Sequence, residues 1–173
     1  MKSSSNMSFI INLFLLVVLL LIISCQTESD SKLEPPFIKA NSDLEAGRYM
    51  VIMGGCNDCH TDGYAQKDGM VNEEEWLTGS IVGYRGPWGT TYASNLRLIV
   101  QELSEEQWVK TMHTRKGLPP MPWMNVNKFN EKDTRALYRY IKSLGPKGQK
   151  MPQVVTPDKE PTTPYINMIP GNI

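Results

Sequence analysis

The chain has 173 residues, a length that suits one domain with attached segments. Its 18 basic side chains balance its 18 acidic ones, which excludes a strongly basic nucleic-acid-binding protein, so we expect no nucleic-acid partner. Apolar residues are concentrated at the amino end, where they make up 16 of the first 24 positions but only 54 of the following 149. Because the remaining core is small, we expect stabilisation by disulfides, a metal or a buried cofactor.

The amino end predicts a bacterial lipoprotein signal peptide over residues 1–24. Residues Leu13 to Ile23 form an unbroken apolar run of 11, which is too short to span a ~30 Å hydrocarbon core and suits a signal peptide. A transmembrane helix is the alternative. The following Leu21-Ile22-Ile23-Ser24-Cys25 resembles the lipobox, in which the cysteine is lipidated and becomes the new amino terminus. This resemblance implies a lipid anchor on Cys25, a polar tether over residues 25–39, and a periplasm-facing, membrane-anchored location in the bacterial envelope. Otherwise Cys25 is merely a thiol near the signal-peptide end.

Residues 40–145 predict a mostly α domain with long loops. Three sites favour helix starts, each a capping residue before an apolar stripe. They are Ser42 with Glu45, Ser104 with Gln107, and Asn130 before Leu137, Ile141 and Leu144. Glycines predict the three ends, at Gly54-Gly55, Gly117 and Gly145-Pro146. The glycine-rich stretch from Thr78 to Tyr92 reads as loop, and we expect no sheet. Residues 146–173 hold six of the 12 prolines and predict an extended, proline-rich tail, which either is disordered or wraps on the domain or on a partner.

Cys56-Asn57-Asp58-Cys59-His60 is the C-x-x-C-H pattern typical of covalent haem attachment. The two-residue insert lets both thiols form thioethers along one edge of the porphyrin, while the adjacent imidazole ligates the iron. A four-ligand zinc site is an alternative, but it would have to recruit Cys25 and His113. A thioredoxin-like redox pair and a strained structural disulfide are the others. Of these, the pattern favours haem.

Met121 is the leading candidate for a second iron ligand, 61 residues after His60. It lies in Gly117-Leu118-Pro119-Pro120-Met121-Pro122-Trp123, where prolines on both sides fix the backbone and remove hydrogen-bond donors. Such a loop can present a thioether rigidly. Met124 and His113 are the alternative ligands.

Several segments together resemble one family. They are Gly47-Arg48-Tyr49, Cys56 to His60, Trp88 to Leu96, Pro120-Met121-Pro122, and Leu137 to Ile141. From about Gly47 to Gly145 the chain resembles the class I cytochrome c family, particularly the monohaem cytochrome subunits of membrane-bound bacterial dehydrogenases. In those relatives Asn-Leu tends to be followed by Thr-Pro-Asp, whereas Asn95-Leu96 is followed here by Arg97-Leu98-Ile99.

This resemblance implies a class I cytochrome c-like helical fold around one covalent haem c. Cys56 and Cys59 would hold the haem, and His60 and Met121 would be its axial ligands. The implied function is single-electron transfer by a lipid-anchored carrier that is not an enzyme. Its partners would be redox proteins, namely a dehydrogenase, a quinol-oxidising complex or a terminal oxidase. The alternatives are a haem enzyme or gas sensor with an open iron position, and a non-catalytic dehydrogenase subunit that docks through the tail.

Two further expectations concern the surroundings of the haem. The second ring nitrogen of His60 should donate to a backbone carbonyl, for which the Gly86-Pro87 loop is a candidate. Donors to the haem propionates would come from Arg85, Trp88, Tyr92, Asn95 and Arg97. Residues 110–135 carry a local charge of +4 and residues 56–75 a local charge of −5. These are either solvated surfaces or a dipole that orients the protein toward a partner.

Overall fold

A computed structural model describes residues 35–171 of the chain. The predicted signal peptide, the lipidation site Cys25 and the tether up to residue 34 lie outside the described residues. The helices are α1 (Asp43–Met53), α2 (Cys56–His60), α3 (Leu96–Glu102), α4 (Glu105–Thr114), α5 (Trp123–Val126) and α6 (Glu131–Ser143). Short 3₁₀ turns occupy Ala65–Lys67 and Glu73–Glu75, and the strands are β1 (Gly83–Gly86), β2 (Gly89–Tyr92) and β3 (Tyr165–Asn167). The chain is therefore helix-rich with a small sheet, and within this range no helix is long and apolar enough to cross a membrane.

The three predicted helices are confirmed as α1, α4 and α6. The Ser42 side chain accepts a hydrogen bond from the Glu45 amide at the start of α1. Ser104 and Gln107 form both bonds of a capping box at the start of α4, and the Asn130 side chain caps α6. One boundary differs, because α4 ends at Thr114, before Gly117, and an exposed irregular segment follows.

The core forms where α1 crosses α6, with α4 packed beside α6. Gly47 permits the close approach of α1 and α6, because a Cβ at this position would overlap the Ala136 carbonyl and the Tyr140 side chain. Val51 and Ile141 are fully buried in the resulting cluster, together with Trp108 from α4. The apolar stripes of these three helices thus supply the main core.

The prediction of a sheet-free loop over Thr78 to Tyr92 was wrong, because β1 and β2 form an antiparallel hairpin in this stretch. Each strand has only four residues, too few to show an alternating pattern in the sequence. The hairpin is stabilised by a segment far away in the chain, since β3 pairs with β1 in parallel and gives the strand order β2-β1-β3.

Residues 146–168, here called the C-terminal strap, form backbone hydrogen bonds with both strands of this hairpin. The amide of Thr90 donates to the Val155 carbonyl at 2.8 Å, and the Val155 amide donates back at 3.0 Å. The Arg85 guanidinium donates to the Lys159 carbonyl and forms an ion pair with Glu160. The strap is mostly extended, and it contacts the hairpin as well as Asn95 and Glu75 of the helical domain.

Candidate functional site

The turn between α1 and α2 presents the two cysteines. Gly55 adopts φ +64°, a left-handed conformation that costs glycine little, and it leads directly into α2. Cys56 and Cys59 are half-buried free thiols on this short helix. Burial raises the pKa of the Cys56 thiol to about 11, so this group is protonated at neutral pH.

His60, at the end of α2, is a buried imidazole with a defined orientation. Its Nδ1 lies 2.7 Å from the Ser94 carbonyl oxygen, which follows β2. Burial lowers the pKa of His60, although the hydrogen bond to Ser94 acts in the opposite direction. The ring is therefore neutral, and donation from Nδ1 leaves the Nε2 lone pair for a metal ion. The expected type of partner, a backbone carbonyl, is present, but its predicted place in the Gly86-Pro87 loop was wrong.

A buried polar network continues from His60 into the domain. The Thr61 hydroxyl donates to Asn57 Oδ1 at 2.7 Å and accepts from the Leu77 amide at 2.8 Å. The His60 carbonyl accepts from the Gly79 amide at 2.7 Å. These bonds fix α2 to the segment before the hairpin, so the histidine is held through both its ring and its backbone.

One face of the hairpin connects the cysteine motif with the Pro-Met-Pro loop. Tyr84 and Thr91 are cross-strand partners and so lie on the same face. Burial raises the pKa of Tyr84, and the nearby Cys59 thiol raises it further. The Thr91 hydroxyl donates to the Pro119 carbonyl at 2.6 Å. The structure thereby attaches both predicted ligand segments to the same small sheet.

The three candidates for the second iron ligand have different surroundings. Met121 is half-buried and packs against the hydrophobic core. Met124 is 78% exposed on α5. His113 Nε2 lies 3.2 Å from the Thr134 hydroxyl, so this ring faces α6. Of the three, only Met121 combines partial burial with a side chain that has no protein hydrogen bond to break.

The five candidate propionate donors differ in whether they already have hydrogen-bond partners. Four are engaged elsewhere: Arg85 with the strap, Tyr92 with Thr163, Asn95 with the Lys147 and Gln149 carbonyls, and Arg97 with the Glu74, Leu144 and Gly145 carbonyls. Trp88 differs, because its indole Nε1 is buried and has no hydrogen-bond partner in the described part of the chain. Its ring lies over Gly86, where a Cβ would overlap it. An unpaired buried donor is costly, so Trp88 fits a ligand that brings an acceptor.

The charged clusters are partly neutralised within the domain. Arg135, from the basic stretch, forms ion pairs with Glu105, Glu106 and Glu131. Glu73 and Glu75, from the acidic stretch, pair with Arg48 and Lys147. The net charges counted from the sequence therefore overstate the charge that these two surfaces present.

The sequence did not identify Ser94 or Thr61, and it left open whether the extended tail wraps on the domain. Ser94 acts through its backbone carbonyl, which every residue type possesses, so no sequence signal marks it. Thr61 follows the C-x-x-C-H motif directly, and a small hydroxyl residue beside a buried histidine is a weak signal for such a network.

No family model, no curated protein and no solved structure matches this chain. Residues 35–171 contain no cluster of three or more His, Cys, Asp or Glu side chains that could hold a metal ion.

Proposed function

We propose that this chain is a c-type cytochrome that transfers single electrons through one covalently attached haem. Cys56 and Cys59 would hold the haem, and His60 and Met121 would ligate its iron. The observation that carries the proposal is the neutral, buried His60, whose Nδ1 is bonded to the Ser94 carbonyl, one residue after a pair of free thiols. When bound, the haem supplies an iron that changes its oxidation state by one electron.

The chain's own residues favour a carrier over a catalyst. The Ser94 carbonyl orients the imidazole and makes it a stronger donor. The Met121 thioether, held between prolines, is a soft ligand that favours ferrous iron. With His60 and Met121 both bound, the iron would have no open position for a substrate. The helix pair α1 and α6, crossing at Gly47, is consistent with the proposed class I cytochrome c-like fold.

Trp88 supports the cofactor assignment independently of the motif. Its buried Nε1 has no acceptor among residues 35–171, and the aromatic ring lies at the hairpin turn. A haem propionate oxygen would satisfy this donor. The zinc and disulfide alternatives bring no acceptor to Trp88.

We also propose that the protein is a lipoprotein of the bacterial envelope, anchored through Cys25 and facing the periplasm. Its partners would be redox proteins such as a dehydrogenase, a quinol-oxidising complex or a terminal oxidase. Lys116 and Lys128 lie in exposed positions on either side of the Pro-Met-Pro loop, and no ion pair within residues 35–171 includes them. A positive surface here would steer an acidic partner toward the ligand loop.

The test is the absorption spectrum of the exported, matured protein together with pyridine-haemochrome analysis. We expect one c-type haem per chain, low-spin iron, and a sulfur-to-iron charge-transfer band. Met121→Ala should remove this band, whereas the exposed Met124→Ala should retain it. Cys56→Ser combined with Cys59→Ser should abolish covalent attachment.

Two results would contradict the proposal. Absence of covalent haem from the wild-type protein would refute the cytochrome assignment altogether. High-spin iron that binds carbon monoxide and does not respond to Met121→Ala would instead favour the haem enzyme or gas sensor.

A further inference from the structure

Asn95 connects the histidine's hydrogen-bond acceptor to the C-terminal strap. It directly follows Ser94, and its side chain is 3% exposed. Its Oδ1 accepts from the Leu98 amide at 3.1 Å and caps α3. Its Nδ2 donates to the Lys147 carbonyl at 2.8 Å and to the Gln149 carbonyl at 3.2 Å. One side chain therefore connects the segment after β2, the start of α3 and the beginning of the strap.

Met151 gives the strap a second contact behind the histidine. Its side chain packs on Gly79 so closely that a Cβ at Gly79 would lie 2.6 Å from Met151 Cγ. The Gly79 amide is the group that donates to the His60 carbonyl. The strap thus contacts the two segments that hold His60, one at its backbone and one beside the acceptor of its ring.

The strap is itself held firmly beyond Met151. After Met151, Val155 forms two backbone hydrogen bonds with Thr90, and later in the strap β3 pairs with β1. These contacts are made on the hairpin, whose strand β2 leads into Ser94. The support behind the histidine is therefore continuous from residue 147 to residue 168.

We propose that the C-terminal strap sets the strength of His60 as an iron ligand, with Asn95 and Met151 as positioning residues. This inference rests on the proposed haem function. Donation from Nδ1 to a well-placed carbonyl increases the basicity of Nε2, and a more basic ligand stabilises ferric iron. When the strap contacts are weakened, the Ser94 carbonyl is less well placed, and the equilibrium shifts toward ferrous iron.

The experiment compares three variants of the full-length, haem-loaded protein. Met151→Ala removes the packing on Gly79. Asn95→Ser retains a side-chain cap for α3 but is too short to reach the strap carbonyls. Met168→Ala is the matched control, because this side chain is 40% exposed at the far end of the strap. The readouts are the reduction potential and, by NMR, the solvent exchange of the His60 Nδ1 proton.

We expect Met151→Ala and Asn95→Ser each to shift the ferric-to-ferrous equilibrium about tenfold toward ferrous iron, which is about 59 mV for one electron. Exchange of the Nδ1 proton should be faster in both, and Met168→Ala should match the wild type in both readouts. If Asn95→Ser fails to fold, Met151→Ala alone decides.

The two proposals fail in distinguishable ways. Wild-type protein without covalent haem contradicts the proposed function, and this inference with it. Haem-loaded variants that keep the wild-type potential and proton exchange contradict the inference alone. An equal shift in Met168→Ala would also contradict it, because the effect would then be a general loosening of the strap.

Discussion

Replacing Thr61 by valine should destabilise the protein by about 3 kcal/mol, although valine has nearly the same shape. Thr61 is 2% exposed, and its hydroxyl both donates to Asn57 Oδ1 and accepts from the Leu77 amide. Valine would leave both partners buried and unpaired, at about 2 kcal/mol each. Its additional methyl group would offset about 1 kcal/mol of this cost.

The surrounding backbone makes this network hard to replace. Leu77 is fully buried and has φ +62°, a conformation that is strained for leucine. Its carbonyl also accepts from the Leu96 amide at the start of α3. Because the chain is held in this conformation by its neighbours, an unpaired Leu77 amide cannot easily turn toward water.

The assay is urea unfolding followed by circular dichroism, in which a loss of 3 kcal/mol lowers the midpoint by about 1.5 M. Thr61→Ser is the control, because it keeps the hydroxyl and loses only a methyl group, at about 1 kcal/mol. Equal destabilisation by valine and serine would refute the reasoning, since packing and not hydrogen bonding would then explain the loss.

Two further predictions concern the helix contacts. Gly47→Ala should lower the melting temperature by several degrees in a thermal scan. The overlap of the new Cβ with α6 should outweigh the gain of about 1 kcal/mol in helix propensity. A higher melting temperature would contradict the close crossing of α1 and α6. Hydrogen bonds from Arg139 hold the pKa of Glu105 below its ordinary value. The contribution of Glu105 to stability is therefore present above about pH 4.3 and is lost as the pH falls through the lowered pKa. Glu105→Gln should therefore flatten the acid limb of a stability-against-pH curve, and an unchanged limb would show that this ion pair does not contribute.

Local signals predicted the helices because helix starts are determined by nearby residues. Ser42, Ser104 and Asn130 each bond an amide two or three residues ahead, so the cap and its partner are read in one short window. The same kind of signal is present for α3, where Asn95 caps a helix with Leu96, Ile99 and Val100.

The hairpin could not be predicted in this way, because its stabilising contacts are remote in sequence. β1 pairs with a strand that begins at Tyr165, about 80 residues later. The same distance hides the roles of Arg85 and Arg97, which resemble ligand donors in the sequence but donate to backbone carbonyls in the fold. Long-range contacts leave little local pattern in the sequence. The motif residues could therefore be predicted, whereas the residues that hold them in place could not.

The beginning of the described chain is fastened to α6, and this determines how a mechanical load enters the domain. The Asn130 side chain donates to the Pro35 carbonyl, the Ile38 amide donates to Asp133 Oδ1, and Lys132 lies 3.9 Å from the centre of the Phe37 ring. A pull on residue 35 is therefore taken up first by α6, the longest helix among residues 35–171, whose inner face is buried in the core. Helix α1 begins only after these attachments, so tension from the amino end reaches it last and does not peel it from its partner.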